Sequence, residues 1–392
     1  MTATVSHDLA VAGGGVLLIA AVLIVVGRAL ARRGASPLVT RKIPHALCGL
    51  FAALAAFQLS HGVVVAGVLA AATVALTVIV ERGLIPVPGV FVLGLADAGA
   101  ALIGDRYGRH RVEAGGGVRS LEGSVAFVAI AFAVSWVFCR VGLELNTFMA
   151  VSVSLFVAMT TAAVELLVLP AADNLLITPW VALLLHVARE LSTDDALRWL
   201  AAVVFGCAIV PFMLRMRWLD LPGALAGGLI AGVAVGLGGW AWIIPAALFF
   251  SLTSLLTAYR RPTRSGGMRT LSQVAVNAGL PVLVPVIGYA FTRDPLWYAV
   301  SIGGIAAGIA DSWASEIGRF SSREPLSLRT WGRVPKGTSG AVSPLGSGAT
   351  VLGALAVGAF GALFGGLAMV AVGLVAGVAG SLVDTLIGAT VQ

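Results

Sequence analysis

The sequence predicts an all-α integral membrane protein, and three observations carry that prediction. Hydrophobic residues make up 59% of the 392-residue chain, charged residues only 11%, and mean hydropathy is +1.00. A soluble domain is nearer half apolar and a quarter charged. The apolar stretches reach the roughly 20 residues that a helix needs to cross a bilayer. They are uninterrupted and lack the period-two alternation of a membrane barrel, so helices, which satisfy their own backbone, are the expected form. The 49 glycines suit such a structure, because small residues let helix backbones approach closely in lipid.

Apolar windows place spans at 11–30, 43–60, 62–81, 124–142, 147–168, 176–190, 198–214, 221–239, 241–258, 272–291, 296–310, 348–366 and 367–390, about 13 transmembrane helices. The first has no basic region before it and Arg28, Arg32 and Arg33 after it. That is the pattern of a retained span with its amino terminus outside, not of a cleaved signal. Between the third and fourth spans, 88–104 is apolar but is preceded by Pro86, starts on Pro88 and holds several glycines. Two readings stay open for it: a re-entrant segment lining a wet cavity, or an ordinary span beside a miscounted neighbour.

Most of the 25 Lys and Arg fall in clusters at 28–42, 106–119, 215–217, 260–269 and 319–336. The positive-inside rule puts all five in the cytoplasm, and the crossings then count correctly with 88–104 re-entrant. The expected location is the cell's inner, plasma membrane, with active sites facing the cytoplasm. Cys48, Cys139 and Cys207 lie scattered in apolar runs without metal-type spacing and read as small hydrophobes.

The chain also repeats itself. "DAGAALIG" (Asp97–Gly104) matches "DSWASEIG" (Asp311–Gly318), "ADNLLI" parallels "VDTLIG" with Asp173 opposite Asp384, and "RKIPH" parallels "RTLSQ" with His45 opposite Gln273. Two related modules follow, 1–214 and 215–392.

A carboxylate inside or beside a bilayer is costly and faces a cavity or a partner, so each is a functional candidate. The first module offers Asp97, Asp105, Glu122, Glu165 and Asp173 with Asn174; the second offers Asp311, Glu316 and Asp384 with Asn277. Mg²⁺ suits such a set, since it takes one or two carboxylates and shares its shell with waters and substrate phosphates. Arg119 and its neighbours can grip phosphate bidentately. The chain's two lysines, Lys42 and Lys336, both lie near these motifs. Either they are remnants of an arginine-rich composition, or they supply compact charges for phosphate. Arg28, Arg32, Arg33, Arg215 and Arg217 read as topology signals. His61, His110 and His186 read as structural or exposed, and His45 as functional. There is no Walker A pattern and no kinase-type loop set.

On "RKIPH", "DAGAALIGDRYG", "RSLEGS", Glu165 and "ADNLLIT", residues of about 40–180, the first half resembles the phytol kinase/dolichol kinase family of membrane lipid-alcohol kinases. It departs at Ala96–Asp97–Ala98, where that family often has Gly-Asp-Pro. On "SQVAVNAGLP", "ADSWASEIG", "KGTSGAVSPLG" and "GSLVDTLIGATVQ", from about 215 to 392, the second half resembles the phytyl-phosphate kinase family. The resemblance implies a bifunctional kinase that converts an isoprenoid alcohol to its monophosphate and then to the diphosphate, with CTP as donor and Mg²⁺. It implies metal or nucleotide contacts for Asp97, Glu122 and Asp173, with Asn174, and phosphate contacts for Lys42 and Arg119. His45 or Glu165 would accept the alcohol proton. In the second half Asp311, Glu316 and Asp384 would hold metal, with Lys336 on phosphate and Asn277 beside the nucleotide. The expected partners are the isoprenoid alcohol and its monophosphate, a nucleoside triphosphate and membrane lipid, with no nucleic acid. A further copy of the chain is kept open. Two other readings remain: a CTP-dependent lipid cytidylyltransferase, and an isoprenoid or lipid transporter, since paired halves with polar residues in the membrane are also a transporter pattern.

Overall fold

The computed structural model describes residues 87–391 apart from 115–116, 169–172, 261–267, 329 and 339. Lys42, His45, the three earliest expected spans and the basic cluster at 28–42 lie outside the described residues. The chain divides into two compact units, Met1–Val203 and Val204–Gln392. The division falls inside a helix, Thr193–Arg215, 11 residues before the expected 214/215.

In the first unit, α1 runs from Val87–Phe91 through a π-helical turn, Val92–Asp97, to Ala98–Tyr107. The helix is unbroken, and Pro88–Tyr107 is long and apolar enough to cross a membrane. The re-entrant reading of 88–104 is therefore corrected to a continuous helix: Pro88 sits in the first turn, where its missing N–H costs nothing. An antiparallel hairpin follows, β1 (Arg111–Ala114) paired with β2 (Gly117–Ser120), Arg111 opposite Ser120. Ser120 then caps α2 (Leu121–Val137), its side chain accepting from the Gly123 N–H. Asn146 caps α3 (Thr147–Leu167) in the same way through Met149. Then come α4 (Asp173–Ala188) and α5 (Thr193–Arg215). Phe156 of α3 packs on Trp199 of α5 with ring centroids 4.5 Å apart, and both are fully buried.

In the second unit, Asp220 caps α6 (Leu221–Val233), which continues as a π-helical turn to Gly238. Gly239, at φ +89°, turns the chain at once into α7 (Trp240–Arg260). α8 begins at Leu271–Val274, widens to a π-helical stretch at Ala275–Leu283 and ends as Val284–Thr292. Pro281 lies within that wide stretch. α9 (Leu296–Gly318) leads to a short hairpin, β3 (Leu326–Ser327) with β4 (Ala341–Val342), and then to α10 (Pro344–Gly365) and α11 (Ala368–Val391). The last three helices pack on one another pairwise. Their seams are lined by glycine: a Cβ on Gly373 would lie 2.5 Å from the Gly358 Cα, so only glycine allows that approach.

Each expected span within the described residues overlies a helix, and 8 of the described helices are long and apolar enough to cross a membrane. The protein is an all-α, multi-pass integral membrane protein.

Candidate functional site

Three helix ends meet in the second unit. α9 arrives at Gly318, α10 leaves from Pro344, and α11 ends at Val391. Between them lies a polar cavity of about 370 Å³, lined by Asp311 and Arg319 of the α9 end, Lys336 of the hairpin, Ser343 and Ser347 of the α10 start, and Asp384 of α11. Asp311 and Asp384 both border it and act on each other electrostatically. Two ionised carboxylates so placed repel, and a cation between them relieves that repulsion.

The start of α10 forms one wall of this cavity. Ser343 accepts from the Gly346 N–H at 3.1 Å, its hydroxyl reaches the Gly318 carbonyl at 3.5 Å, and Ser343, Gly346 and Ser347 all line the wall. The helix dipole makes such an end attractive to anions. The hairpin closes over the site through Gly340, at φ +70°, where a Cβ would lie 2.4 Å from the Ala389 Cα.

The other expected site residues of this half sit elsewhere. Glu316 acts electrostatically on Arg269, and Asn277 lines a second cavity with Arg269. Neither lines the cavity that holds Asp311, Asp384 and Lys336. The grouping of Glu316 with the two aspartates, and of Asn277 with Lys336, is corrected accordingly. Asp311 and Glu316 are five positions apart on one helix, about 140° around its axis at 100° per residue.

The second cavity, about 180 Å³, lies between α5, α6, α7, α8 and α9. Arg269 at its rim is fixed by its backbone: its N–H donates to the Trp218 carbonyl and its carbonyl accepts from the Asp220 N–H, both at 3.1 Å. Its guanidinium donates to Ser254 Oγ at 3.1 Å and lies 4.8 Å from the Phe250 ring centre. Burial lowers the Arg269 pKa, and nearby Glu316 opposes that shift.

In the first unit, Asp97 ends the π-helical turn of α1 and is 4% exposed. Glu122, in the first turn of α2, is held by His110, whose Nδ1 lies 2.8 Å from Oε1. Arg119 and Glu165 form an ion pair, with side chains 19% and 6% exposed. Glu165, expected as a proton acceptor, and Arg119, expected on phosphate, are therefore partners of each other. Asp173 and Asn174 open α4; their side chains lie outside the described residues. Among the described residues, no group of three or more His, Cys, Asp or Glu could hold a metal ion by itself.

The two units share one local arrangement that the motif comparison passed over. Ser120 accepts from Gly123 at 3.1 Å, and Ser343 accepts from Gly346 at 3.1 Å. A Cβ on Gly104 would meet Ser120 Oγ at 2.7 Å and Gly123 Cα at 3.5 Å; one on Gly318 would meet Ser343 Oγ and Gly346 Cα at 3.3 Å. "RSLEGS" (119–124) thus corresponds to "VSPLGS" (342–347). The signal was the spacing Ser-x-x-Gly-Ser after each hairpin. This register also replaces the pairing of Asp173 with Asp384. Asp384 lies on the second helix after its hairpin, the place of Glu165, and Asp173 opens the helix after that. Val342 stands where Arg119 stands, so the acid of α11 faces Asp311 instead of an arginine from the cap.

The family described as integral membrane protein DUF92 matches residues 204–392, the second compact unit. An uncharacterized membrane protein of Methanocaldococcus jannaschii, MJ0933, is 30% identical over 208 residues, covering 51% of this chain and 86% of its own length. Protein PGR of Arabidopsis thaliana is 27% identical over 236 residues, covering 52% of this chain and 82% of its own. No solved structure matches.

Proposed function

The chain belongs to the DUF92 family of integral membrane proteins, and we propose that it is a bifunctional isoprenoid kinase of the membrane. The second unit phosphorylates an isoprenyl monophosphate to the diphosphate, and the first makes that monophosphate from the alcohol, each with CTP. The observation that carries the reading is the facing pair Asp311 and Asp384 in a polar cavity that also presents Lys336 and the start of α10. Opposed carboxylates, a lysine and a helix N-terminus are the complement of a metal–triphosphate.

The donor set fits Mg²⁺, which needs only one or two protein carboxylates because phosphates and water complete its shell. Asp311 and Asp384 would hold it, and bound there it would neutralise charge on the donor's phosphates. Lys336 draws phosphate as a point charge. The positive end of the α10 dipole favours the same oxygens, and Gly340 keeps the hairpin down over them. In the transfer, an oxygen of the acceptor phosphate forms a bond to the γ-phosphorus while the bond from that phosphorus to the CDP oxygen breaks, and CDP leaves. The acceptor is already an anion, so this step needs no strong base. The alcohol step must lose a proton. His45 is the acceptor we assign, because Glu165 is taken up by Arg119.

Orientation follows from charge. In the second unit the clusters at 215–217, 260–269 and 319–336 all fall at the helix ends that carry the polar cavity. We place that end in the cytoplasm of the inner membrane.

The test is turnover by purified protein in lipid nanodiscs with γ-labelled CTP and a prenyl monophosphate. Label on lipid diphosphate supports the kinase. Label released as pyrophosphate makes the second unit a cytidylyltransferase, and absence of transfer to any prenol or prenyl phosphate sinks both.

A further inference from the structure

The second cavity of this unit takes no part in holding the nucleotide, yet its composition is graded along its length. Arg269, Gln273 and Ser312 stand at one end, and Ile230, Ile243 and Ile305 form the other. Ser312 and Ile305 are seven residues apart on α9, so the gradient extends about 10 Å along the helix. The polar end is level with the basic helix ends, and the apolar end points toward the middle of the bilayer.

α9 serves both cavities with different stripes. Ile305, Gly308, Ile309 and Ser312 recur at helical spacing and line the graded cavity, whereas Asp311, Ser315 and Gly318 line the polar one. The space beside Gly308 is open, since a Cβ built there meets no atom within 4 Å. Arg269 is pinned at the rim by backbone pairing with Trp218 and Asp220, and its guanidinium by Ser254 and Phe250. A cation held in place at the mouth of an apolar slot selects an anion joined to a hydrocarbon.

We propose that this slot seats the head-proximal part of one hydrocarbon chain whose anionic head meets Arg269. With the kinase reading above, on which only the ligand's identity rests, that ligand is the prenyl phosphate in a docking position, from which its head must still move to the polar cavity for transfer. The volume sets the scope of recognition. A cavity of about 150 Å³ takes a benzene-sized group, so 180 Å³ holds the first few branched carbons and leaves the rest of the chain in lipid. One slot of this size takes one chain, not the two of a phospholipid.

The test uses full-length protein in phosphatidylcholine nanodiscs and a photoactivatable farnesyl monophosphate. Labelling is expected on Ile230, Ile243 and Ile305 or their neighbours. Unlabelled farnesyl monophosphate should compete, and inorganic phosphate should not. Gly308→Leu fills the slot and should cut labelling about tenfold. Arg269→Gln adds no bulk and should reduce the preference for the phosphate over farnesol about tenfold, the worth of one charge-assisted hydrogen bond. Val375→Leu, on an exposed face of α11, should label as wild type. The proposal is overturned if well-behaved Gly308→Leu and Arg269→Gln proteins both label normally, if labelling spreads over lipid-facing residues, or if phosphatidic acid competes equally. Binding without turnover would remove the kinase reading and keep the slot. Turnover with labelling unaffected by either variant would do the reverse.

Discussion

The carboxyls of Asp311 on α9 and Asp384 on α11 share the wall of one polar cavity and act on each other electrostatically. Two like groups so placed repel when both are ionised, and a divalent cation converts the repulsion to attraction. Added Mg²⁺ should therefore raise the thermal midpoint of the wild-type protein. At a hundred times its dissociation constant, a bound ion contributes about 2.7 kcal/mol. Asp384→Asn should remove most of that shift. A full Mg²⁺ response in Asp384→Asn, read by thermal unfolding in detergent, would separate the pair from the metal.

The two activities should come apart by mutation. Asp97→Asn should lose alcohol phosphorylation and still convert supplied monophosphate. Asp311→Asn should accumulate monophosphate, with loss of the second step by about 100-fold or more, the scale seen when one electrostatic contact to a transition state is deleted. Lipid product analysis decides it, and loss of both steps in either variant would mean one shared site.

The Arg119–Glu165 pair is buried enough for its loss to be felt. Glu165→Gln should remove a buried anionic partner of Arg119 and cost about 3 kcal/mol. Arg119→Met with Glu165→Met should recover most of that loss, because an apolar pair avoids desolving ions. Unfolding titrations of the single and double variants measure the coupling. Equal loss in the double variant would show that the pair is not what the site spends its stability on.

Gly340→Ala tests the hairpin. The backbone there is at φ +70° and the new Cβ would strike Ala389, so the closed arrangement should be disfavoured by about 1–3 kcal/mol. Faster proteolysis between Arg319 and Ser343, together with weaker monophosphate turnover, is expected. Unchanged cleavage would show the contact to be dispensable.

The helices were legible because hydropathy alone specifies them: a run of apolar residues with no charge has few other places to go in a bilayer. Parts of the site were equally legible. Asp311 and Asp384 stand out by charge, and Asp97 likewise. The error over Glu316 came from grouping acids by sequence distance; five positions on a helix turn one of them away, a separation helical geometry already contains. The shared cap was harder to see. Ser120–Ser124 and Ser343–Ser347 agree where backbone geometry demands Ser and Gly, but differ at Glu122 and Leu345, the positions that carry chemistry. The π-helical turns at Asp97 and Asn277 leave no local signature, because wide turns answer to packing between helices. The slot beside Gly308 is a space between five helices, so no single stretch encodes it.

The turns opposite the cavities have a consequence for access. Gly239 alone links the helical stretches ending at Gly238 and beginning at Trp240; Arg293, Asp294 and Pro295 join α8 to α9; and Gly366 and Leu367 join α10 to α11. Such short links act as stitches, and a stitched rim cannot part without unwinding helix. The longer connections, between Arg260 and Leu271 and between Gly318 and Pro344, are both at the other end. The second unit is thus built like a purse sewn shut along one edge. A carrier must open to each side in turn, whereas the kinase proposed above needs only a single mouth, through which its water-soluble reactants would come from one compartment.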